Sequence, residues 1–272
     1  MGHGRGRTPA VTSVATPARD NGPMDAVDGR PEPGPEPDPH DDFPIGFFTR
    51  VDESPDEVFY EPDRFVTHID DRAVQTVGRL YRQLGIDGEG SAGAVLDLMS
   101  SWVSHFLTPP SELVVLGMNE RELRANRQAR AYVVQDLNAD PRLPFPDDRF
   151  GAATCCVSID YLVRPIDVLR EVARVVRPGG LVVCTFSNRC FPTKVIRGWL
   201  AITEEQRCHT VGRYFRLAGG YDEPMAALCT PAGTPGDPLY AVWAAVSGGA
   251  GGGSGEGSGE GSDGVGAPDT AG

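Results

Sequence analysis

The stretch Ala94-Val95-Leu96-Asp97-Leu98-Met99-Ser100-Ser101 constrains this chain more than any other. A short apolar run that closes on an acid and small hydroxyl residues reads as a fully buried strand of a parallel sheet. Ser101 to Leu107 reads as a short helix, stopped by Pro109-Pro110. A strand that feeds a helix through a tight loop is the first half of a βαβ unit. Ligands of such sheets sit outside the carboxyl ends of the strands, so Asp97 to Ser101 is the first place to look for a site.

The rest of the chain repeats the alternation. Asp70 is placed to cap a helix whose apolar face is Ala73, Val77, Leu80, Tyr81 and Leu84. Leu113 to Gly117 and Tyr132 to Val134 read as the second and third strands, with a helix over Glu120 to Ala129 between them. Phe150 to Ser158 is a fourth strand. Pro165 opens a helix with the buried stripe Ile166, Leu169, Val172, Ala173 and Val176, and Leu181 to Phe186 is a fifth strand. Thr203-Glu204-Glu205-Gln206 is a capping box for a helix that stops at Gly219-Gly220. Met225 to Thr230 and Leu239 to Val246 are two more strands. The pattern predicts an α/β fold: a Rossmann-like doubly wound sheet, mostly parallel with one antiparallel edge strand, and helices on both faces.

Composition sets the boundaries. Residues 1–42 are rich in Pro, Gly and acid, and 247–272 in Gly, Ser and Glu; both read as disordered tails. Residues 43–93 read as an arm and helix that cover the cleft, because Phe43, Phe47, Phe48, Phe59 and Tyr60 need something to pack on. Residues 94–246 form the sheet domain. The net charge of −13 argues against nucleic acid or an anionic membrane as partner, and no apolar run approaches the roughly 18 residues that span a bilayer. Met1 to Arg7 carries positive charge with no apolar core behind it and is not read as a signal peptide. The six cysteines show no CxxC spacing and no histidine at ligand spacing, so they read as reduced thiols in a cytoplasmic protein with no metal site.

Three stretches resemble the class I S-adenosylmethionine-dependent methyltransferases, type 11-like domains in particular. They are Gln135 to Phe150 with its Leu143-Pro144-Phe145-Pro146-Asp147 run, Val157 to Leu162, and Leu169 to Gly180. The resemblance implies S-adenosyl-L-methionine as cofactor and a small-molecule methyl acceptor. It places Asp97, Met99, Ser100 and Ser101 at the cofactor loop, with Met99 where the family carries its first glycine. It puts Asn119 at the ribose position, where the family has an acid, and Asp136 with the Leu137 amide at the adenine. Ser158 and Tyr161 leave the fourth strand; Asn188, Arg189 and Lys194 leave the fifth, where the charges of Arg189 and Lys194 suit an anionic acceptor. His68, in the arm, and Tyr161 are the candidate catalytic groups. A methyltransferase fold that binds without turnover stays open as the alternative. A dinucleotide oxidoreductase is weaker, since no Gly-x-Gly-x-x-Gly follows a predicted strand.

Overall fold

The computed structural model describes residues 37–88, 93–231 and 233–248. Most of the tails expected at 1–42 and 247–272, and part of the glycine-rich turn before the first strand, lie outside the described residues. Seven strands form one sheet: β1 (Ala94–Leu98), β2 (Glu112–Gly117), β3 (Ala131–Val134), β4 (Phe150–Cys156), β5 (Val176–Phe186), β6 (Met225–Leu228) and β7 (Tyr240–Ala245). Their order is β3-β2-β1-β4-β5-β7-β6. The pairings are parallel from β3 through β5, and β7 runs antiparallel to both β5 and β6. The antiparallel strand thus sits one place in from the edge. The helical crossover from β5 sets β6 down one strand too far out, and the hairpin return of β7 fills the gap.

Among the described residues six α-helices accompany the sheet: α1 (Asp56–Tyr60), α2 (Asp71–Gln83), α3 (Glu120–Ala125), α4 (Pro165–Val175), α5 (Arg197–Leu200) and α6 (Glu204–Ala218). Side chains alternate across a strand, and this divides the core in two. Leu96, Leu98, Val114 and Leu116 pack with α4 and α6. Val95, Leu113 and Val115 pack with α2 and Leu123 of α3. Asp97 shares the face of Val95 and therefore points to the α2 side.

The caps are as the residues predict. Asp70 accepts the Ala73 amide at 2.8 Å, and Thr203 with Gln206 closes a full capping box on α6. Three elements differ from expectation. No helix forms over 101–107, because the Ser100 and Ser104 hydroxyls turn inward onto Asp97 and the segment runs irregularly across the sheet end. Helix α3 stops at Ala125, where buried Asn126 donates to the Ser101 carbonyl and the Ser104 hydroxyl instead of continuing the turn. Strand β5 begins at Val176, so Arg177-Pro178-Gly179-Gly180 belongs to the strand, with an irregularity in its pairing to β4.

The N-terminal arm is held by its own chemistry. The proline-rich segment expected to run extended to Asp42 turns earlier, as a 3-10 helix over Pro39–Asp42, with Asp42 paired to Arg213 at 2.6 Å. Phe43 enters the core beside Tyr214. Phe47 and Thr49 accept the Gly198 and Arg197 amides of α5. Asp56 is buried between Arg50 at 2.6 Å and Lys194 at 3.1 Å, and it also accepts from Asn138. Burial works against the Asp56 carboxylate, but the hydrogen bonds from Arg50, Asn138 and Lys194 outweigh it and hold its pKa below the usual range.

Candidate functional site

Beyond β1 the chain turns back on itself. Met99 adopts φ 51°, in the left-handed region that favours glycine. The Ser100 amide then bonds the Leu116 carbonyl at 2.7 Å, extending the contact with β2 past the strand end. Gly117 makes this possible, because a Cβ there would lie 2.2 Å from the Ser100 carbonyl oxygen. On the other side Thr154, paired in register with Asp97, donates to it at 2.7 Å. Ser100 and Ser104 donate to its second oxygen at 2.7 and 2.6 Å. Asp97 is therefore the buried post to which the loop is tied.

The exits of β1, β2 and β4 enclose a cavity of about 370 Å³, which the arm from Tyr60 to Ile69 closes from above. It lies where β1 meets β4, the point at which the strand order reverses and open α/β sheets bind ligands. A larger open groove of about 710 Å³ runs between α6 and β6, away from the β1 loop. The first cavity has the chemistry. Val157, on its β4 wall, also has a left-handed φ of 46°, a conformation that a β-branched residue adopts only under constraint.

Most of the residues singled out from the sequence converge here. Asp97, Met99, Ser100, Ser101, Asn119, Ser158, Tyr161, His68 and Arg189 all line the cavity. Their availability differs. The Asn119 carbonyl caps α3 through the Arg121 and Glu122 amides, while its NH2 group donates to Tyr60 and Glu61 carbonyls and to Asp63. It anchors the arm and leaves nothing for a ribose. The Ser101 hydroxyl goes to Glu122 and that of Ser158 to the Cys156 carbonyl at 2.9 Å. Without the helix expected from Ser101, this loop offers an anion no helix N-terminus.

The remaining candidates sit differently. Asp136 does not line the cavity; its carboxylate closes a turn on the Asn138 amide, and Gln135 faces the cavity instead. Leu137 packs its side chain into the core on the α4 side, which leaves the expectation for its backbone amide as it stood. Asn188 is exposed and lies outside the lining. Lys194 is fully buried against Asp56 and the Ser54 carbonyl, so it cannot meet a substrate anion. Arg189 reaches the cavity but pairs with Asp237 at 2.8 Å. The Tyr161 hydroxyl accepts the Phe191 amide at 2.8 Å, and burial pushes its pKa far up, so it is no base. His68 stands edge-on to Phe191, and burial pulls its pKa down, which leaves a neutral imidazole at pH 7.

Glu122 and Arg64 are among the cavity residues that the sequence did not single out. Glu122 follows Asn119 by three residues, hence on the same face of α3, and turns its carboxylate into the lining. It accepts the Arg64 amide and the Ser101 hydroxyl, both at 2.6 Å, and keeps further lone pairs. Arg64 stacks on Phe59 at 4.6 Å and donates to the Phe59 and Pro62 carbonyls. The helical spacing pointed to Glu122; nothing local marked Arg64. Among the described residues no group of three or more His, Cys, Asp or Glu is arranged to hold a metal, and no helix is long and apolar enough to cross a membrane.

Comparison with known proteins bears on the same segment. Residues 94–184 match the family described as "Methyltransferase domain". The chain is 30% identical over 125 residues to the ubiquinone/menaquinone biosynthesis C-methyltransferase UbiE of Pseudomonas fluorescens (strain Pf0-1), covering 40% of this chain and 49% of that protein. It is 50% identical over 56 residues to a demethylmenaquinone methyltransferase of Mycobacterium sp. (strain KMS), covering 19% and 24%. The chain thus spans half or less of the length of these relatives. A SAM-dependent methyltransferase structure from Aquifex aeolicus superposes with a TM-score of 0.45 at 13% identity, over 65% of this chain and 94% of that one.

Proposed function

We propose, for a chain whose residues 94–184 match the methyltransferase domain family, S-adenosylmethionine-dependent methyl transfer to a small-molecule acceptor. The observation that carries the reading is the β1 exit. Met99 holds a glycine-like conformation and Gly117 receives the loop backbone, so a main-chain cradle survives although the glycines of the loop do not. The fit to the cofactor follows from the lining. Glu122 would supply the carboxylate for the ribose hydroxyls, one helical turn beyond the expected position, Met118 and Gln135 would border the adenine, and Arg64 would offer a cation for the methionyl carboxylate.

When bound, the cofactor supplies a methyl group activated on a sulfonium. The protein has then to orient an acceptor in line and keep water out, and such placement is worth roughly 7–11 kcal/mol of barrier. The aromatic arm does both. An acceptor of small-molecule size suits a cavity of about 370 Å³, much of which the cofactor fills. The six cysteines are free in the structure, which supports a reducing, cytoplasmic setting. A second reading, binding without turnover, draws on the full engagement of Asn119 with the arm.

Calorimetric titration with S-adenosylmethionine and S-adenosylhomocysteine tests the assignment. Binding of both in the micromolar range is the expected result. Consumption of the former in the presence of a metabolite extract then distinguishes the enzyme from the silent fold. A folded protein that binds neither overturns the reading.

A further inference from the structure

The sheet ends on β6, and little covers that end. Among the described residues no strand pairs with the outer edge of β6. Helix α6 stops short of it, which leaves the open groove of about 710 Å³ between them. Met225 is 61% exposed and Leu228 46%, on opposite faces of the strand. Edge strands are ordinarily protected by a lysine, a proline, a bulge or a covering helix. The run Met225-Ala226-Ala227-Leu228 carries no charge and no proline, and it pairs with β7 without a bulge.

The free edge has a defined register. The Cys229 amide donates to the Leu239 carbonyl across the β6–β7 hairpin. Bonding direction alternates along an antiparallel strand, so Ala227 faces β7 as well, and the amides and carbonyls of Ala226 and Leu228 point outward. A copy of the same strand, turned about a twofold axis at Ala227, sets Ala226 opposite Leu228 of the second copy and closes the hydrogen bonds of both such pairs. The small, exposed Ala226 leaves room there for the leucine. The charges fit the same axis. Helix α6 runs antiparallel to β6: Glu204 near its start accepts the Tyr240 hydroxyl beside Leu228, while Gly212 and Arg216 further along meet Pro224 and Glu223. The twofold makes the two α6 helices antiparallel along one merged groove. Glu205, on the groove at one end, then faces Arg216 of the second copy, which Glu223 steadies from outside the lining.

We propose that the β6 edge is an interface for a second copy of this chain, which adds its own β6 antiparallel and joins the two sheets into one. An interface in which one patch meets itself about a twofold axis is the commonest route to a closed assembly. The self-complementary register of β6 and the opposed charges at the two ends of α6 both select the second copy over an unrelated strand. The inference does not depend on the methyltransferase reading.

The oligomeric state of the full chain tests it. Sedimentation velocity up to about 200 µM is expected to show a reversible dimer, with a Kd on the order of 10 µM for so small an interface. Ala226→Pro removes an outward amide and leaves the ladder to β7 intact, and Leu228→Lys sets a charge on the edge; each raises the Kd about tenfold or more. Circular dichroism checks that both variants stay folded. Ala227 lies opposite itself across the axis, in a pair without hydrogen bonds, where α-carbons come within about 4.5 Å. That spacing suits a disulfide, so Ala227→Cys with oxidised glutathione is expected to give a covalent dimer well above the wild-type background. A wild type that stays monomeric overturns the proposal and leaves the edge to a strand of another protein. A dimer indifferent to Ala226→Pro and Leu228→Lys, or one that Ala227→Cys does not cross-link, overturns it as well.

Discussion

Asp97 and Asp160 show how differently two buried acids act in one fold. Asp97 accepts three hydroxyls and organises the loop around itself. Asp97→Ala leaves those hydroxyls without their acceptor and is expected to cost about 1–3 kcal/mol of stability, with weaker S-adenosylhomocysteine binding as a consequence of the loosened loop. Paired denaturant melts and titrations check this; full affinity in a destabilised variant would detach the loop from the cofactor. Glu122→Gln, by contrast, is expected to lower that affinity about tenfold through loss of charge-assisted bonds to the ribose. Unchanged binding there would return the ribose to another group. Asp160 is buried with no compensating cation in hydrogen-bond contact, and burial pushes its pKa up to about 7. A folded pKa above the unfolded one gives stability that is complete at low pH and lost as the pH rises from about 4 to about 7. Asp160→Asn is therefore expected to raise Tm at pH 8 and to gain little at pH 4. The same gain at both values would mean that packing, not titration, is responsible.

At the scale of elements the docking of the arm turns on α5. Phe47 lies so close to Gly198 that a Cβ would fall 2.3 Å from its ring. Gly198→Ala is expected to lift Phe47 off α5, exposing the arm to limited proteolysis after Arg50 while the sheet domain stays folded. An arm as resistant as in the wild type would show that the Arg50–Asp56–Lys194 cluster suffices alone. Strands and helices were legible in the sequence wherever periodicity, capping or proline marked them, as in α2, α4 and α6. The segment after β1 was not, because its serines bond to Asp97, which lies near in sequence, and to Asn126 from across the fold. Only the assembled sheet brings the latter close. Lys194 misled for the same reason. A lysine after a strand reads as surface charge, and only the fold sets Asp56 of the arm beside it. The side-chain direction of Asp136 and Gln135 turned on a single residue of register.

For the whole molecule the arm is both wall and fastening. Tyr60 and Arg64 border the cavity, while Asp56, one turn earlier, ties the arm to the sheet domain through Lys194 and Asn138. Asp56 touches no part of the cavity, yet closing the cavity and docking the arm are one event. A ligand that binds the closed form stabilises the docked arm by mass action, and loosening the arm weakens that ligand by the same free energy. Removing one partner of a buried ion pair is strongly destabilising, on the order of 3–5 kcal/mol, because the other charge is left in the interior. Asp56→Ala is therefore expected to undock the arm and release Lys194 to water, reducing S-adenosylhomocysteine affinity although the residue is remote from it. Because its folded pKa is depressed, the Asp56 contribution holds throughout the range above about 4 and fades only as the pH falls lower. Titrations at pH 7 and proteolysis with and without S-adenosylhomocysteine read the coupling from both directions. Equal affinity in the variant with its arm cleaved would show that the sheet domain binds alone, and the arm would then serve the acceptor rather than the cofactor.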